Sequence, residues 1–429
     1  MLDIKLLREN PDLVRKNLER RQDPEKLKLL EEVIKKDMDW RVLTTKVNEL
    51  RRLRNKISSE VAILKREGKD ATEKMEEGDR IRDEIISVSA QVAILEADIK
   101  MDLMRLPNLL HESVPFGKDE SENVEIRRWG EPPKFPFDPK GHVDITLKLG
   151  VMDEARAGKV SGDGFVYLKN GLALLDYAIL RFAMDFLMRR GYTLVEPPFM
   201  IKRRPYEGVT SLEDFENVLY KVEGEDLYLI ATSEHAMAAM YMDEVLKAED
   251  LPIKLVGVSP CFRKEVGTHG KYTKGLFRMH QFNKVEQFIF SLPEDSWTLH
   301  EELQRNSEEL YQALGLHYRV VNVCTGDIGI LAAKKYDTEV WMADGAFREI
   351  GSNSNCTDYQ ARRLNIRYRE KEGQAPKGFV HTLNNTALAT SRTMMAILEQ
   401  YQQEDGSVVV PKVLRPYMNR LERIEKKKP

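Results

Sequence analysis

The stretch best equipped for chemistry runs from Val256 to Phe290 and reads VGVSPCFRKEVGTHGKYTKGLFRMHQFNKVEQFIF. A strand ending in Cys261-Phe262-Arg263-Lys264-Glu265 enters a loop with Gly267, Gly270 and Gly275, and a second strand returns through Arg278 to Phe290. Side chains alternate between the two faces of a strand. Without a bulge, therefore, Arg278, His280, Phe282, Lys284 and Glu286 project together, as do Arg263 and Glu265 on the partner strand. Such a face offers guanidinium groups to phosphates, an aromatic plane to a base, and carboxylates to amines or hydroxyls. The same alternation also describes a sheet face partly covered by salt bridges, and the hairpin alone leaves both readings open.

Three further segments carry comparable groups. In Ala231-Thr232-Ser233-Glu234, small hydroxyls beside a carboxylate suit an ammonium group and a small polar ligand, although Thr-Ser-Glu equally reads as a helix N-cap with its capping acid. Glu349-Ile350-Gly351-Ser352-Asn353-Ser354-Asn355-Cys356 sets a carboxylate and a hydroxyl at short range, either to hold Mg²⁺ between nucleotide phosphates or as a plain polar turn. Asn384-Asn385-Thr386-Ala387-Leu388-Ala389-Thr390-Ser391-Arg392 leads into a helix over Met394–Gln402. An Arg near a helix start opposes the helix dipole, and a bound phosphate would account for it.

The elements that must position these residues divide along the chain. Between about residues 39 and 106, apolar residues recur in steps of four and three: Leu43, Val47, Leu50, Ile57, Val61 and Leu64, then Ile81, Ile85, Val88, Val92, Leu95 and Ile99, with Arg54 interrupting the first stripe. Two heptad stripes joined by the polar turn at 68–72 predict an antiparallel helical hairpin with arms of about 27 to 33 residues, ~40 to 50 Å long. Residues 41–67 hold eight cations against three anions, and residues 73–105 hold five against nine. This asymmetry fits mutual pairing of the two helices, and it also fits a Lys/Arg surface for a phosphate backbone. Residues 1–37 read as short helices starting at Asn10-Pro11 and Asp23-Pro24. Residues 107–139 hold six of the 18 prolines and read as a linker. Beyond them, strands with irregular spacers, together with helices such as Leu172–Arg190, predict an α+β fold with a mainly antiparallel sheet. The expected division is 1–106, 107–139 and 140–429.

Composition narrows the function classes. The 429 residues suit two or three domains; 67 Lys+Arg against 70 Asp+Glu argue against a uniformly basic polyanion binder. No apolar run approaches the ~20 residues of a membrane span, and the start MLDIKLLREN lacks a signal-peptide core. Cys261, Cys324 and Cys356 form no CxxC pair, which fits a reducing cytoplasm. No GxGxxG or GxxxxGK[ST] follows a strand, so dinucleotide-fold and P-loop readings lose their support.

Taken together, VSPCFRKE, GLFRMHQF, ATSE, EIGSNSNCTDYQARRLNIRYR and LATSRTMMAILEQYQQEDGSVVVPKVLRPYM resemble the class II seryl-tRNA synthetases over essentially the full chain. Gly191-Tyr192-Thr193-Leu194-Val195-Glu196-Pro197-Pro198 is similar to that class's dimer-forming first motif, the 256–290 hairpin to the second, and Thr386–Arg392 to the third. The N-terminal hairpin resembles the family's tRNA-binding arm. Tyr272 and Gly351-Ser352-Asn353 depart from the common pattern.

The resemblance implies a cytoplasmic homodimer that uses ATP and Mg²⁺ to activate L-serine and charge tRNA(Ser); it leaves tRNA(Sec) open and implies neither catalytic zinc nor membrane attachment. It assigns Arg263, Arg278 and Arg392 to catalysis through the phosphates. Lys264, Glu265, Met279, Phe282, Ile350 and Gly351 join them around ATP, with Glu349 and Ser352 on Mg²⁺. Thr232, Ser233, Glu234, Arg263, Glu286 and Thr386 surround serine. On the arm, Arg51, Arg52, Arg54, Lys56, Lys65 and Arg66 are the candidate tRNA contacts. Two competing classes, a non-catalytic tRNA-binding paralogue and a class II ligase for another amino acid, conflict respectively with the complete set of charged residues and with the arm plus the Glu286–Thr386 pair.

Overall fold

The computed structural model describes residues 1–211, 218–265 and 275–426, which form two compact units, Met1–Pro107 and Asn108–Pro429. Gly267, Gly270 and Tyr272 of the hairpin loop lie outside the described residues.

The first unit is helical: α1 (Ile4–Glu9), α2 (Pro11–Glu19), α3 (Pro24–Arg66) and α4 (Thr72–Arg105). Asn10 and Asp23 cap α2 and α3, each followed by Pro at the first helical position, where its missing N–H costs nothing. From Asp23 onward nothing breaks the helix, so α3 runs 43 residues, about 65 Å. Residues 24–37 therefore belong to the long helix and do not form a separate short one. Val47, Ile57, Ile81, Ile85, Val88 and Ile99 of the two stripes are buried, and Arg54 is exposed. Ion pairs Lys46–Glu84 (2.7 Å) and Lys74–Glu60 (3.2 Å) link the helices, so part of the charge asymmetry serves pairing.

The second unit is built on an eight-stranded sheet. Its principal elements are β1 (Val124–Trp129), α5 (Asn170–Met188), β2 (Thr193–Val195), α6 (Ser233–Ala238), β3 (Ile253–Phe262), β4 (Gln281–Ser291), α7 (Ser296–Leu314), β5 (Tyr318–Asn322), β6 (Lys334–Trp341), β7 (Phe347–Asn355), β8 (His381–Ala389) and α8 (Thr390–Gln400). The spatial order is β1-β5-β6-β7-β8-β4-β3-β2, antiparallel throughout except for the β2–β3 pair. The proline-rich stretch contributes β1, which pairs with β5 at the sheet edge. Strands β7 and β8 run through segments whose Asn, Ser and Thr residues lower strand propensity, and burial between neighbouring strands overrides it.

The two faces of the sheet take different work. Val256, Val285 and Ile289 join the core formed with α5, α7 and α8, while Leu255, Phe288 and Phe290 join a second apolar cluster with Tyr206, Ala236 and Leu364. Phe282, Lys284 and Glu286 share the parity of Phe288 and Phe290, so the polar end of β4 faces away from the long helices. Two β-bulges reset this alternation, between Thr338 and Glu339 opposite Gly351 and Glu349, and between Thr386 and Leu388 opposite Glu286 and Val285.

Candidate active site

Two cavities lie side by side in the second unit. The smaller, about 60 Å³, is bordered by Glu265, Phe277, Met279, Phe282 and Arg392; the larger, about 520 Å³, by Thr232, Glu234, Glu286, Ser352 and Asn384 among others. Arg263, Lys284, Glu349 and Thr386 border both, so the two are continuous. The bulges explain this convergence. Glu349 and Ser352 have opposite parity and would face opposite sides of an unbroken strand, as would Thr386 and Ala389; each pair lines the joined space because one residue is extra.

The hairpin departs from simple alternation where it meets the loop. β3 stops at Phe262 and β4 begins at Gln281, so Arg263, Glu265 and Arg278 belong to no strand face, and Glu265 takes a left-handed φ of 44°. Arg278 Nη1 lies 3.3 Å from Glu265 Oε2, and Arg278 borders neither cavity. The Arg263 guanidinium sits over the Phe282 ring at 5.3 Å, and its Nε donates to the Ala231 carbonyl at 3.4 Å. Arg392 donates to the Glu349 carbonyl at 2.6 Å, lies 3.4 Å from its carboxylate, and stacks on Phe277 at 5.0 Å. On a regular strand Phe277 would face away from Phe282, and the fold alone brings it to Arg392.

Besides Arg278, two expected residues border neither cavity. Lys264 borders neither cavity, and its backbone N–H donates to Val218. Ser233, fully buried, also borders neither: a Cβ on Gly257 of β3 would come within 2.8 Å of its hydroxyl oxygen, so this side chain is aimed at the sheet. Thr232, by contrast, is the N-cap of α6, its hydroxyl accepting the Glu234 N–H at 3.2 Å, and it also borders the larger cavity. Gly351 packs tightly against its neighbours. A Cβ there would lie 3.2 Å from the Tyr311 hydroxyl and 3.3 Å from the Thr386 carbonyl.

Electrostatics distinguish the two ends. In the larger cavity, Thr386 Oγ1 donates to Glu286 Oε2 at 3.3 Å, and Lys284 Nζ lies 2.5 Å from the same oxygen. Burial, then the charge of Glu286, pushes the Glu234 carboxyl up to about 7, against the opposing effects of Lys284, a Gln360 hydrogen bond and Arg263. Burial also disfavours the charged form of Glu349, but Arg392, Lys335 and Arg263 outweigh it and hold that carboxyl below its usual range. Asp337, directly opposite Ser352 across β6 and β7, is pushed up by burial and by Glu349 despite an ion pair to Lys335 at 3.2 Å. Lys284, Lys335, Asp337 and Asn384 had no assigned role in the sequence reading. Lys284 shares the face of Phe282 and Glu286 and could have been assigned from that alone, whereas Lys335 and Asp337 are brought in only by the β6–β7 register. Glu349 and Ser352 are hard oxygen donors that suit Mg²⁺, and no group of three or more His, Cys, Asp or Glu among the described residues could hold a metal. A cation at this pair would draw the rest of its shell from phosphate and water.

A family model for the seryl-tRNA synthetase N-terminal domain matches residues 1–110, and one for the tRNA synthetase class II core domain (G, H, P, S and T) matches residues 218–401. The serine–tRNA ligase of Methanospirillum hungatei is 54% identical over 420 residues, spanning 98% of this chain and 99% of its own. The chain belongs to the seryl-tRNA synthetase family. The solved seryl-tRNA synthetase of Pyrococcus horikoshii, complexed with ATP, superposes with a TM-score of 0.96 at 50% identity, covering 100% of both chains. The cytoplasmic serine–tRNA ligase of Naegleria fowleri, in complex with AMP, superposes with a TM-score of 0.90 at 35% identity, covering 100% of this chain and 99% of that one. The helical N-terminal unit and the mainly antiparallel catalytic sheet are thus the family architecture, and the activity is that of an aminoacyl-tRNA ligase.

Proposed function

We propose that this seryl-tRNA synthetase forms seryl-adenylate in the joined cavities and passes the seryl group to tRNA(Ser). The observation that carries this reading is the Thr386–Glu286 hydrogen bond beside Glu234 in one cavity, continuous with the Arg263, Phe282 and Arg392 cluster in the other. Glu286 and Thr386 receive a side-chain hydroxyl, while Thr232 and Glu234 receive the ammonium. An amino acid lacking the hydroxyl would leave a buried carboxylate underpaired, which disfavours alanine.

ATP is the nucleotide, in keeping with the complex of the Pyrococcus relative. Phe282 takes one face of the adenine and Glu265 its amino group, and Met279, Ile350 and Gly351 line the nucleotide. Arg263 neutralises the α-phosphate, with Arg278 and Arg392 on the β and γ phosphates once they leave their present carboxylate partners. A serine carboxylate oxygen attacks the α-phosphorus; a P–O bond forms as the bond to the bridging oxygen breaks, and pyrophosphate leaves with the electron pair. Little proton transfer is needed, so positioning and charge neutralisation dominate. Glu349 and Ser352 would hold Mg²⁺, which when bound neutralises phosphate charge. In the second step the terminal ribose hydroxyl of the tRNA attacks the acyl carbonyl and AMP departs.

The arm supplies the tRNA surface. Arg51, Arg52, Lys56, Lys65 and Arg66 are exposed on α3, and like the exposed Arg54 they form no ion pair with a carboxylate among the described residues. The molecule works as a homodimer in the cytoplasm, and no helix among the described residues is long and apolar enough to cross a membrane. The deciding experiment is ATP–pyrophosphate exchange with each of the twenty amino acids. Serine alone should support rapid exchange, and Glu286→Ala should abolish it; exchange driven by another amino acid, or unchanged in that variant, would overturn the assignment.

A further inference from the structure

One wall of the larger cavity is formed by Ile328, Gly329, Ile330, Leu331 and Ala332, from the segment between β5 and β6. The 328–332 wall lies in no strand or helix, and ladder bonding reaches it only from its edge, where the Ala333 N–H donates to Asn355 O at 2.8 Å. Its carbonyls are instead taken up by residues 108–111: the Asn108 N–H donates to Ile330 O at 2.8 Å and the His111 N–H to Ala333 O at 2.9 Å. The buried Asn108 side chain does more. Its amide nitrogen donates to Leu331 O at 2.9 Å and to Cys356 O at 2.8 Å, with Thr357 Oγ1 at 3.1 Å. Cys356 directly follows β7, the strand that carries Glu349 and Ser352, and it borders the same cavity. One NH₂ group therefore spans two walls of the pocket.

The orientation of this amide is set by its surroundings. Oδ1 accepts the Leu109 N–H at 2.8 Å, and a flipped amide would turn that oxygen against two carbonyl oxygens. Two N–H donors meeting two backbone acceptors at normal length form a clamp that neither Asp nor a shorter side chain reproduces. Around it, Leu110 and Val114 pack with Val323, Ile328 and Ala332 in a small apolar cluster that holds the wall from behind.

We propose that Asn108 is a positioning residue for amino-acid binding: by joining Leu331 to Cys356 it sets the spacing between the 328–332 wall and the end of β7, and hence the affinity of the pocket for serine. This rests on the serine reading of that pocket. Asn108 borders neither cavity, and its partners Leu331 and Cys356 line only the larger one, so it acts on one Michaelis constant and spares the other. The test is pyrophosphate exchange with the full-length Asn108→Ala enzyme, varying serine and ATP separately. The serine KM should rise about tenfold, with kcat within about threefold and the ATP KM within about twofold of wild type. An unchanged serine KM, or equal changes in all three constants, overturns the proposal. Thr357→Val removes one contact of the same amide and should raise the serine KM about threefold; should Asn108→Ala not fold, an unchanged serine KM in Thr357→Val overturns it. Glu286→Gln in parallel separates the two levels. A normal serine KM there overturns the pocket reading itself, whereas a raised one combined with a normal value in Asn108→Ala overturns only the role of Asn108.

Discussion

Glu234 shows how strongly the pocket sets the state of a single residue. Burial and the neighbouring Glu286 push its carboxyl up to about 7, while Lys284 and Arg263 pull the other way. A raised acid is neutral below that value and attracts an ammonium group only once deprotonated. The serine KM should therefore fall about tenfold as pH rises from 6 to 8 and then level off, whereas Glu234→Gln should give a high, flat profile; pyrophosphate exchange across pH reads both. Thr386 is the complementary case, since its hydroxyl touches Glu286 at 3.3 Å. Thr386→Val should reduce discrimination between serine and alanine about tenfold or more, measured as the ratio of kcat/KM values. The types of these residues were legible in the sequence because carboxylates and hydroxyls near strand ends suggest polar ligands. Ser233 and Lys264 sit in the same motifs, and only the fold shows that neither borders the cavities, Ser233 being turned toward Gly257.

At the scale of elements, the arm and the bulged strands make separate predictions. α3 and α4 belong to a unit with its own buried seam, and the candidate serine and nucleotide residues all lie in the other unit. Replacing about residues 41–104 by a short turn should leave pyrophosphate exchange within about threefold of wild type while abolishing tRNA charging; charging that survives the deletion would make the arm purely structural. Binding through exposed Lys and Arg should also weaken steeply with salt, so the tRNA KM should rise between 50 and 200 mM salt while exchange changes little, those salt values being chosen for roughly twofold changes in screening length. On β7, Gly351→Ala would press a methyl group on Thr386 and Tyr311, and a rise of about tenfold or more in the serine or ATP KM is expected from the same assay. The heptad stripe made the arm readable from sequence. β7 and β8 were unreadable because bulges interrupt their alternation and several of their polar residues are buried: Asn353, Asn355 and Asn385 donate to carbonyls of α7, partners that no local pattern announces.

For the whole molecule, the net charge of −3 averages over unlike parts: a cationic stretch of α3, an anionic α4, and the arginines Arg263, Arg278 and Arg392 at the end of the catalytic sheet. A homodimer, if formed, is expected to pair through β2 of the first motif and the neighbouring α5, where Leu194 is 44% and Tyr177 69% exposed. Large apolar groups left in water on neighbouring elements suit a two-fold contact. Sedimentation at micromolar concentration should show a dimer, and Tyr177→Asp with Leu194→Asp should shift it toward monomer; a monomeric wild type would overturn the dimer.

By itself the sequence determined which local structures form and which chemical groups are available. Heptad spacing made the arm, Asp23-Pro24 started its long helix, and the charged motifs supplied candidate groups for phosphates and an ammonium, because periodicity, caps and residue type are local properties. Tertiary structure decided which of those groups meet. The two bulges turned Glu349 with Ser352, and Thr386 with Ala389, into one space, and the β6–β7 register delivered Asp337 to Ser352. Asn108, distant in sequence from Leu331 and Cys356, became their link only once the chain had folded back on itself. Register and long-range closure depend on the packing of the whole sheet, and no window of sequence contains that information.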